Sequence, residues 1–398
     1  MNKLKISCGF IAVVLLIFSC SKDEEVFVPK VLEASELTLS RSSSELQTFL
    51  GLSGLNVPIS ELVLNIEVYN VTYKTTYKGN TINASGLVIL PQTSTAVGMI
   101  SFQHGTIAKL TEAPSALPNS SNALILYSAL ASPGFIVAVP DFIGFGASSD
   151  VLHPYFVEEA TTSAITDMLI AAKELAKQKS VNFNGKLFLA GYSQGGYATM
   201  ATHKYIEKSG LTGFNLIASF PASGGYDLKA IQEYFFSQTI YEQPFYMAYV
   251  VAAYKDYYNW TQPLTNFFKD PYASSIPALF DGTKSGDEIN AALTQTVADF
   301  VTPDILASLD TDPQYTYILT AFSENSLTDW KPSIKMFMYH GDADIWVPAS
   351  SSVSTYNKLI GNGASPSILT LTTFAGKTHS TGVVPYIEAF IPKILELR

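Results

Sequence analysis

Residues 186–196 read KLFLAGYSQGG, an apolar run that stops at a glycine, then a serine, then two more glycines. The run has the length of a buried strand, and residues 194–207 beyond it have the character of a helix. A strand that turns into a helix through G-x-S-x-G makes a tight elbow. Gly191 and Gly195 flank Ser193 because side chains at those positions would collide with the neighbouring strand or helix. Such a turn lifts the Ser193 hydroxyl above the sheet, at the positive end of the following helix. It also aims the backbone N–H of Gln194 at any oxyanion formed beside Ser193. No Lys-Ser or Lys-Thr pair follows the glycines, so a phosphate-binding loop is excluded.

A serine hydroxyl is a weak nucleophile until a base takes its proton, and the base must itself be held by a third group. The chain has five histidines. His203 falls on the helix after the elbow, as a surface or packing residue, and His153 precedes Pro154 in a loop, a structural position. His340 precedes Gly341 at a strand end, where it shapes the turn, and His104 opens a separate loop, Gln103-His104-Gly105-Thr106. His379 lies in the loop 376–382, between the last strand and the last helix, from which a side chain can swing over the edge of the sheet; it is the candidate base. For the acid, the apolar run 336–339 leads into His340-Gly341-Asp342-Ala343-Asp344-Ile345-Trp346-Val347-Pro348. On chemistry alone, both Asp342 and Asp344 qualify.

That last stretch resembles the H-G-x-x-D-x-x-V-P signature of the α/β-hydrolase fold, and the resemblance puts the acid on Asp344 and leaves Asp342 as a turn residue. The order Ser193, Asp344, His379 is the order of that fold. The resemblance also implies a second oxyanion donor, the N–H of Thr106 beside that of Gln194, with Gly105 letting the backbone approach the substrate; the plainer reading is that His104 and Gly105 make a turn. Residues 103–106, 140–148, 153–155 and 191–196 resemble loops of the secretory lipase family, within a likeness that covers about residues 65–225 and 330–398. What the likeness implies is hydrolysis of a carboxylic ester, from a small molecule or a lipid, through an acyl-enzyme, with no cofactor and no metal. Two alternatives stand beside it. One is a peptidase of the same fold, which the lack of a propeller-like repeat disfavours. The other is a non-catalytic lipoprotein that binds glycans or lipids on the same scaffold, which the full set of triad and oxyanion residues disfavours.

The rest of the chain fits this scaffold. Residues 67–78 and 81–90, joined by Gly79-Asn80, read as a hairpin. Strands over 97–102, 135–139, 187–190, 216–220, 334–339 and 368–374 alternate with helices over 123–131, 158–179, 194–207 and 384–397. Such alternation predicts an α/β fold, a mostly parallel sheet with an N-terminal antiparallel hairpin, its core split between 59–226 and 331–398. Residues 227–330 carry no strand signal but crowd aromatics such as Tyr241, Phe245, Tyr249 and Tyr254, which reads as a helical cap insertion. Its aromatics either line an acyl or aryl pocket or form the cap's own core.

With 47% hydrophobic and 15% charged residues, the 398-residue chain has the composition of a globular protein. Lys3 and Lys5 precede an apolar stretch, 6–18, of signal-peptide length, and residues 17–20, Ile-Phe-Ser-Cys, resemble the lipobox of bacterial lipoproteins. Residues 1–19 are therefore expected to leave, with Cys20 acylated as a membrane anchor and residues 20–58 serving as a tether and lead-in segment. The run Ser21-Lys22-Asp23-Glu24-Glu25 resembles a surface-export signal and equally suits a solvated tether. The expected location is the cell envelope, as an outer membrane lipoprotein, facing outward where the acidic run serves as the export signal. Cys8 and Cys20 are the only cysteines, so the mature chain has no internal disulfide. Loss of the two lysines moves the formal charge from −10 to −12, which excludes nucleic acid as a partner.

Overall fold

The computed structural model describes residues 30–398; the expected signal segment, Cys20 and the acidic run behind it lie outside the described residues. The strands are β1 Leu32–Arg41, β2 Ile66–Tyr77, β3 Asn80–Pro91, β4 Val97–Gln103, β5 Phe135–Pro140, β6 Phe183–Tyr192, β7 Asn215–Ala222, β8 Lys335–Gly341 and β9 Leu369–Phe374. Among the described residues they form one nine-stranded sheet in the order β1-β2-β3-β5-β4-β6-β7-β8-β9. The first three strands and the β3–β5 pairing are antiparallel. From β5 across to β9 every pairing is parallel.

Among the described residues four α-helices precede the segment 227–330, the expected helical cap: α1 Ser43–Ser53, α2 Asn122–Ala131, α3 Glu158–Gln178 and α4 Gln194–Ser209. The cap then holds α5 Leu228–Ser237, α6 Pro244–Tyr257, α7 Tyr272–Leu279, α8 Gly286–Ala292, α9 Val297–Phe300, α10 Pro303–Ser308 and α11 Thr316–Asn325. After it come α12 Ala349–Gly361 and α13 Val383–Leu397.

The period of two in β6 decides the layering. Phe188 and Ala190 point to one face, where they pack with Leu124 and Tyr127 of α2 and Tyr386 and Phe390 of α13. Leu187 and Leu189 point to the other, against Ile165, Met168 and Leu169 of α3 and Ala198 of α4. Because both faces are covered, β4 and β5 are buried along their whole length, which is why their sequences read as unbroken apolar runs.

One expectation is corrected. Residues expected to form a weakly patterned lead-in segment carry β1 and α1, and β1 pairs with β2 from Leu32↔Tyr73 to Arg41↔Ile66. It is an edge strand exposed over most of its length, so backbone pairing holds it in place and no apolar alternation advertises it. The start of α1 carries a sequence signal that the lead-in reading passed over, the capping box of Ser42 and Glu45.

Candidate active site

The sheet delivers its functional loops from the C-terminal ends of neighbouring parallel strands. β4 and β6 pair in register up to Gln103↔Gly191, so the loop after Gln103 and the elbow after Tyr192 leave the sheet side by side. The other two loops follow β8 and β9, which pair up to Gly341↔Phe374.

Ser193 is the residue between β6 and α4, with φ +60° and ψ −123°. A non-glycine residue is seldom found there, and such strain persists only where the surroundings over-determine it. They do so here. The Ser193 N–H donates to the Ala222 carbonyl at 2.9 Å. The Gly191 N–H donates to the Tyr386 hydroxyl at 2.8 Å, and that hydroxyl donates to the Phe220 carbonyl at 2.7 Å. The flanking glycines are required by space. A Cβ on Gly191 would lie 2.3 Å from the Gly195 carbonyl oxygen, and one on Gly195 only 2.0 Å from that of Gln103.

The Ser193 hydroxyl donates to His379 Nε2 at 2.8 Å, and His379 Nδ1–H donates to Asp344 Oδ2 at 2.6 Å. All three side chains are buried. Asp344 is fully engaged: its Oδ1 accepts the N–H groups of Trp346 and Val347, each at 3.0 Å. Burial pushes the Asp344 carboxyl up, but hydrogen bonds from His340 and His379 outweigh it and hold the carboxyl below its ordinary range. Asp342, the alternative acid, is exposed and accepts the Gly376 N–H at 2.6 Å, so it fastens the turn and leaves His379 to Asp344. His379 is clamped as well, with the Tyr192 hydroxyl donating to its carbonyl at 2.8 Å and the Tyr192 and Trp346 rings 5.4 Å and 5.6 Å from the imidazole.

Of the two expected oxyanion donors, Gln194 follows Ser193 directly and Thr106 follows Gly105, which lies against the serine. A Cβ on Gly105 would lie 3.7 Å from Ser193 Cβ, so the 104–106 backbone runs along the serine. Neither the Thr106 nor the Gln194 backbone N–H has an acceptor among the described residues. No cluster of histidine, cysteine, aspartate and glutamate suited to a metal occurs among the described residues.

The remaining histidines all prove to be buried. His203 is a packing residue, bonded to Ser219 Oγ at 2.6 Å and to Glu207 at 2.7 Å, with nothing at the surface. His104 lies under its loop with Nδ1 2.7 Å from the Gly105 carbonyl, and burial lowers its pKa. His340 does more than shape a turn. Its Nδ1 accepts from Ser352 Oγ at 2.6 Å, which puts the proton on Nε2, shared between the Val347 carbonyl at 2.9 Å and Asp344 Oδ2 at 3.2 Å. Sequence reading missed this second histidine on the acid; the four-residue spacing from Asp344 was the one available signal.

The cap closes on the acid loop. Tyr241 donates to the Trp346 carbonyl at 2.8 Å, Tyr234 to the Ile345 carbonyl at 3.0 Å, and the Trp346 indole N–H donates to Glu242 at 2.8 Å. Within the cap an apolar cavity of about 80 Å³ is lined by residues that include Phe235, Val251, Phe267, Ile305 and Phe322.

The sequence profile of the secretory lipase family matches residues 115–209, the segment that carries the 153–155 loop and the elbow. A Legionella pneumophila protein provisionally assigned as a hydrolase superposes with a TM-score of 0.81 at 25% identity, covering 92% of this chain and 98% of its own. The rice cell wall degrading esterase LipA of Xanthomonas oryzae, in a ligand-bound form, superposes with a TM-score of 0.77 at 23% identity, over 92% of this chain and 99% of that one. Candida antarctica lipase A in its closed state is more distant, with a TM-score of 0.61, 16% identity, and coverage of 87% and 78%. Among curated protein sequences none matches significantly. The fold is thus the α/β-hydrolase fold, and the chain is similar within it to lipases and esterases.

Proposed function

We propose that the protein hydrolyses carboxylic esters through an acyl-enzyme on Ser193. The observation that carries this reading is the unbroken chain Asp344–His379–Ser193, at 2.6 Å and 2.8 Å, ending on a serine held at φ +60°. His379 Nδ1–H faces a carboxylate, which can only accept, so in the neutral imidazole Nε2 is the free lone pair that takes the serine proton. As Ser193 Oγ bonds to the carbonyl carbon, its proton passes to His379 Nε2 and the carbonyl π electrons move to oxygen. That oxyanion lies against the Gln194 and Thr106 N–H groups. Collapse expels the alcohol, which leaves with the proton from His379, and a water activated by the same nitrogen then releases the acid and restores Ser193. The esterase of X. oryzae, aligned over nearly its whole length, supports ester as the bond cleaved.

The test is covalent labelling of the full-length protein by a fluorophosphonate, alongside hydrolysis of short acyl, long acyl and aryl esters and a matched anilide. Labelling at Ser193 with ester turnover well above anilide turnover is the expected result. No labelling and no turnover of any ester would sink the reading, and faster anilide cleavage would move it to the peptidases.

We further propose that the enzyme is held at the cell envelope by acyl chains on Cys20. The support is the sequence of residues 3–20, together with the finding that no helix among the described residues is long and apolar enough to cross a membrane. Cys20→Ala should move ester hydrolase activity from the membrane fraction to the soluble fraction, or leave an uncleaved precursor. Wild-type activity found wholly in the soluble fraction would rule the anchor out.

A further inference from the structure

We propose that the tripeptide His153-Pro154-Tyr155 is a brace that holds both oxyanion donors, which makes His153 and Tyr155 positioning residues for the reaction; the inference rests on the ester-hydrolase reading above. Two side-chain contacts carry it. Gln194 Nε2 lies 2.6 Å from His153 Nε2, and the Tyr155 hydroxyl lies 2.8 Å from Thr106 Oγ1. The two residues that offer a backbone N–H beside Ser193 are therefore each tied, through their side chains, to residues two apart in one loop.

The protons can be assigned from the partners. His153 Nδ1 is 2.6 Å from the Ile143 carbonyl, which can only accept, so Nδ1 carries the ring proton. Nε2 is then an acceptor, and the Gln194 amide donates to it. Burial pushes the His153 imidazole down to about 3, so the ring stays a neutral acceptor near neutral pH. Gln194 is buried and its Oε1 has no partner, so the bond to His153 is the one hydrogen bond anchoring that side chain.

The brace is itself rigid. Proline fixes φ between its two members. The Tyr155 N–H donates to the His153 carbonyl at 2.8 Å, and the Val157 N–H to the Pro154 carbonyl at 3.1 Å. From the cap, Tyr249 of α6 stacks on Tyr155 with centroids 4.5 Å apart and planes at 12°, and meets the His153 ring edge-on at 5.7 Å. An oxyanion donor stabilises the transition state only if it is aimed in advance, and a shift of a fraction of an ångström weakens it.

Asparagine and glutamine at position 153 separate bracing from filling space. Asn can keep the donor to the Ile143 carbonyl but loses the acceptor for Gln194; Gln can keep the acceptor and loses the donor. In the full-length enzyme, His153→Asn should lower kcat by about tenfold with KM within about twofold, and weaken a trifluoromethyl ketone, whose adduct with Ser193 is an oxyanion, by the same factor. His153→Gln should recover most of both. Tyr155→Phe and Thr106→Val delete one hydroxyl bond each and should each cost a few-fold in kcat, with the double variant no worse than the worse single. Equal losses in Asn and Gln, or losses confined to KM with ketone affinity unchanged, would overturn the brace while leaving the ester reading intact. A wild-type enzyme that turns over no ester overturns the reading first.

Discussion

The loops at the C-terminal edge of the sheet and the cap above them are built on opposite rules. In the loops almost every polar atom has one assigned partner: Asp344 accepts four N–H donors, His379 bonds at both nitrogens, and Ser193 sits in a conformation that only its neighbours can hold. In the cap, aromatic rings meet at many angles around a cavity that has almost no polar lining, as in the stacks of Trp260 on Phe267 and Phe268 on Phe300. Directional bonds make identity matter, whereas packing asks mainly for apolar volume. One exchanged atom should therefore be ruinous in the loops and mild in the cap.

The largest effect is expected at Ser193. Ser193→Ala removes one oxygen at a buried site and should leave the fold intact while lowering kcat by on the order of 10⁵ or more, measured with the ester that wild type cleaves best. Retention of a tenth of wild-type activity would mean that the strained serine serves no covalent chemistry.

A somewhat smaller effect sharpens the contrast within a single loop. Asp344→Asn should cost on the order of 10⁴ in kcat, since an amide that donates to His379 turns the ring to the wrong tautomer. Asp342→Asn, two residues away on an exposed turn bond, should cost less than about tenfold. A carboxyl with a depressed pKa lends stability above its unfolded value, and that stability is lost as pH falls through the folded one. The Tm difference between wild type and Asp344→Asn should accordingly shrink as pH is lowered from about 5 to about 3. A constant difference would mean that the variant loses packing alone.

What could be read in advance follows the same division. The convergence of Ser193, Asp344 and His379 was legible because the proposed chemistry admits few residue types at each place and the glycine spacing admits one backbone. The alternation of apolar runs gave the parallel strands because both faces of β4, β5 and β6 are covered. β1 was not legible, since an exposed edge strand such as LEASELTLSR is specified by the pairing of its backbone and leaves no periodic signature. The roles of His340 and His153 were hidden for another reason. Each depends on a partner that is near only in three dimensions, Ser352, which sets the proton of His340 on Nε2, and Gln194, which bonds His153, and the residues flanking each of them fit a plain turn equally well. In the cap, no single aromatic was distinguishable from its neighbours because packing does not distinguish them.

The smallest expected effect tests that last point. Ile305 of α10 is 3% exposed and lines the cap cavity, so Ile305→Val enlarges an existing void by one methylene. Such a change costs about 0.5–1.5 kcal/mol, and in a chain of this size that is a fall in Tm of no more than about 3 °C. If the cavity is packing slack in the cap's own core, kcat/KM should stay within about twofold of wild type for short acyl, long acyl and aryl esters alike, because nothing at position 305 is hydrogen-bonded to the acid loop. A selective change of about tenfold for one acyl length would make the void a substrate site, and the cap would then obey the loops' rule, with the identity of each lining residue under the same constraint as the groups around Ser193.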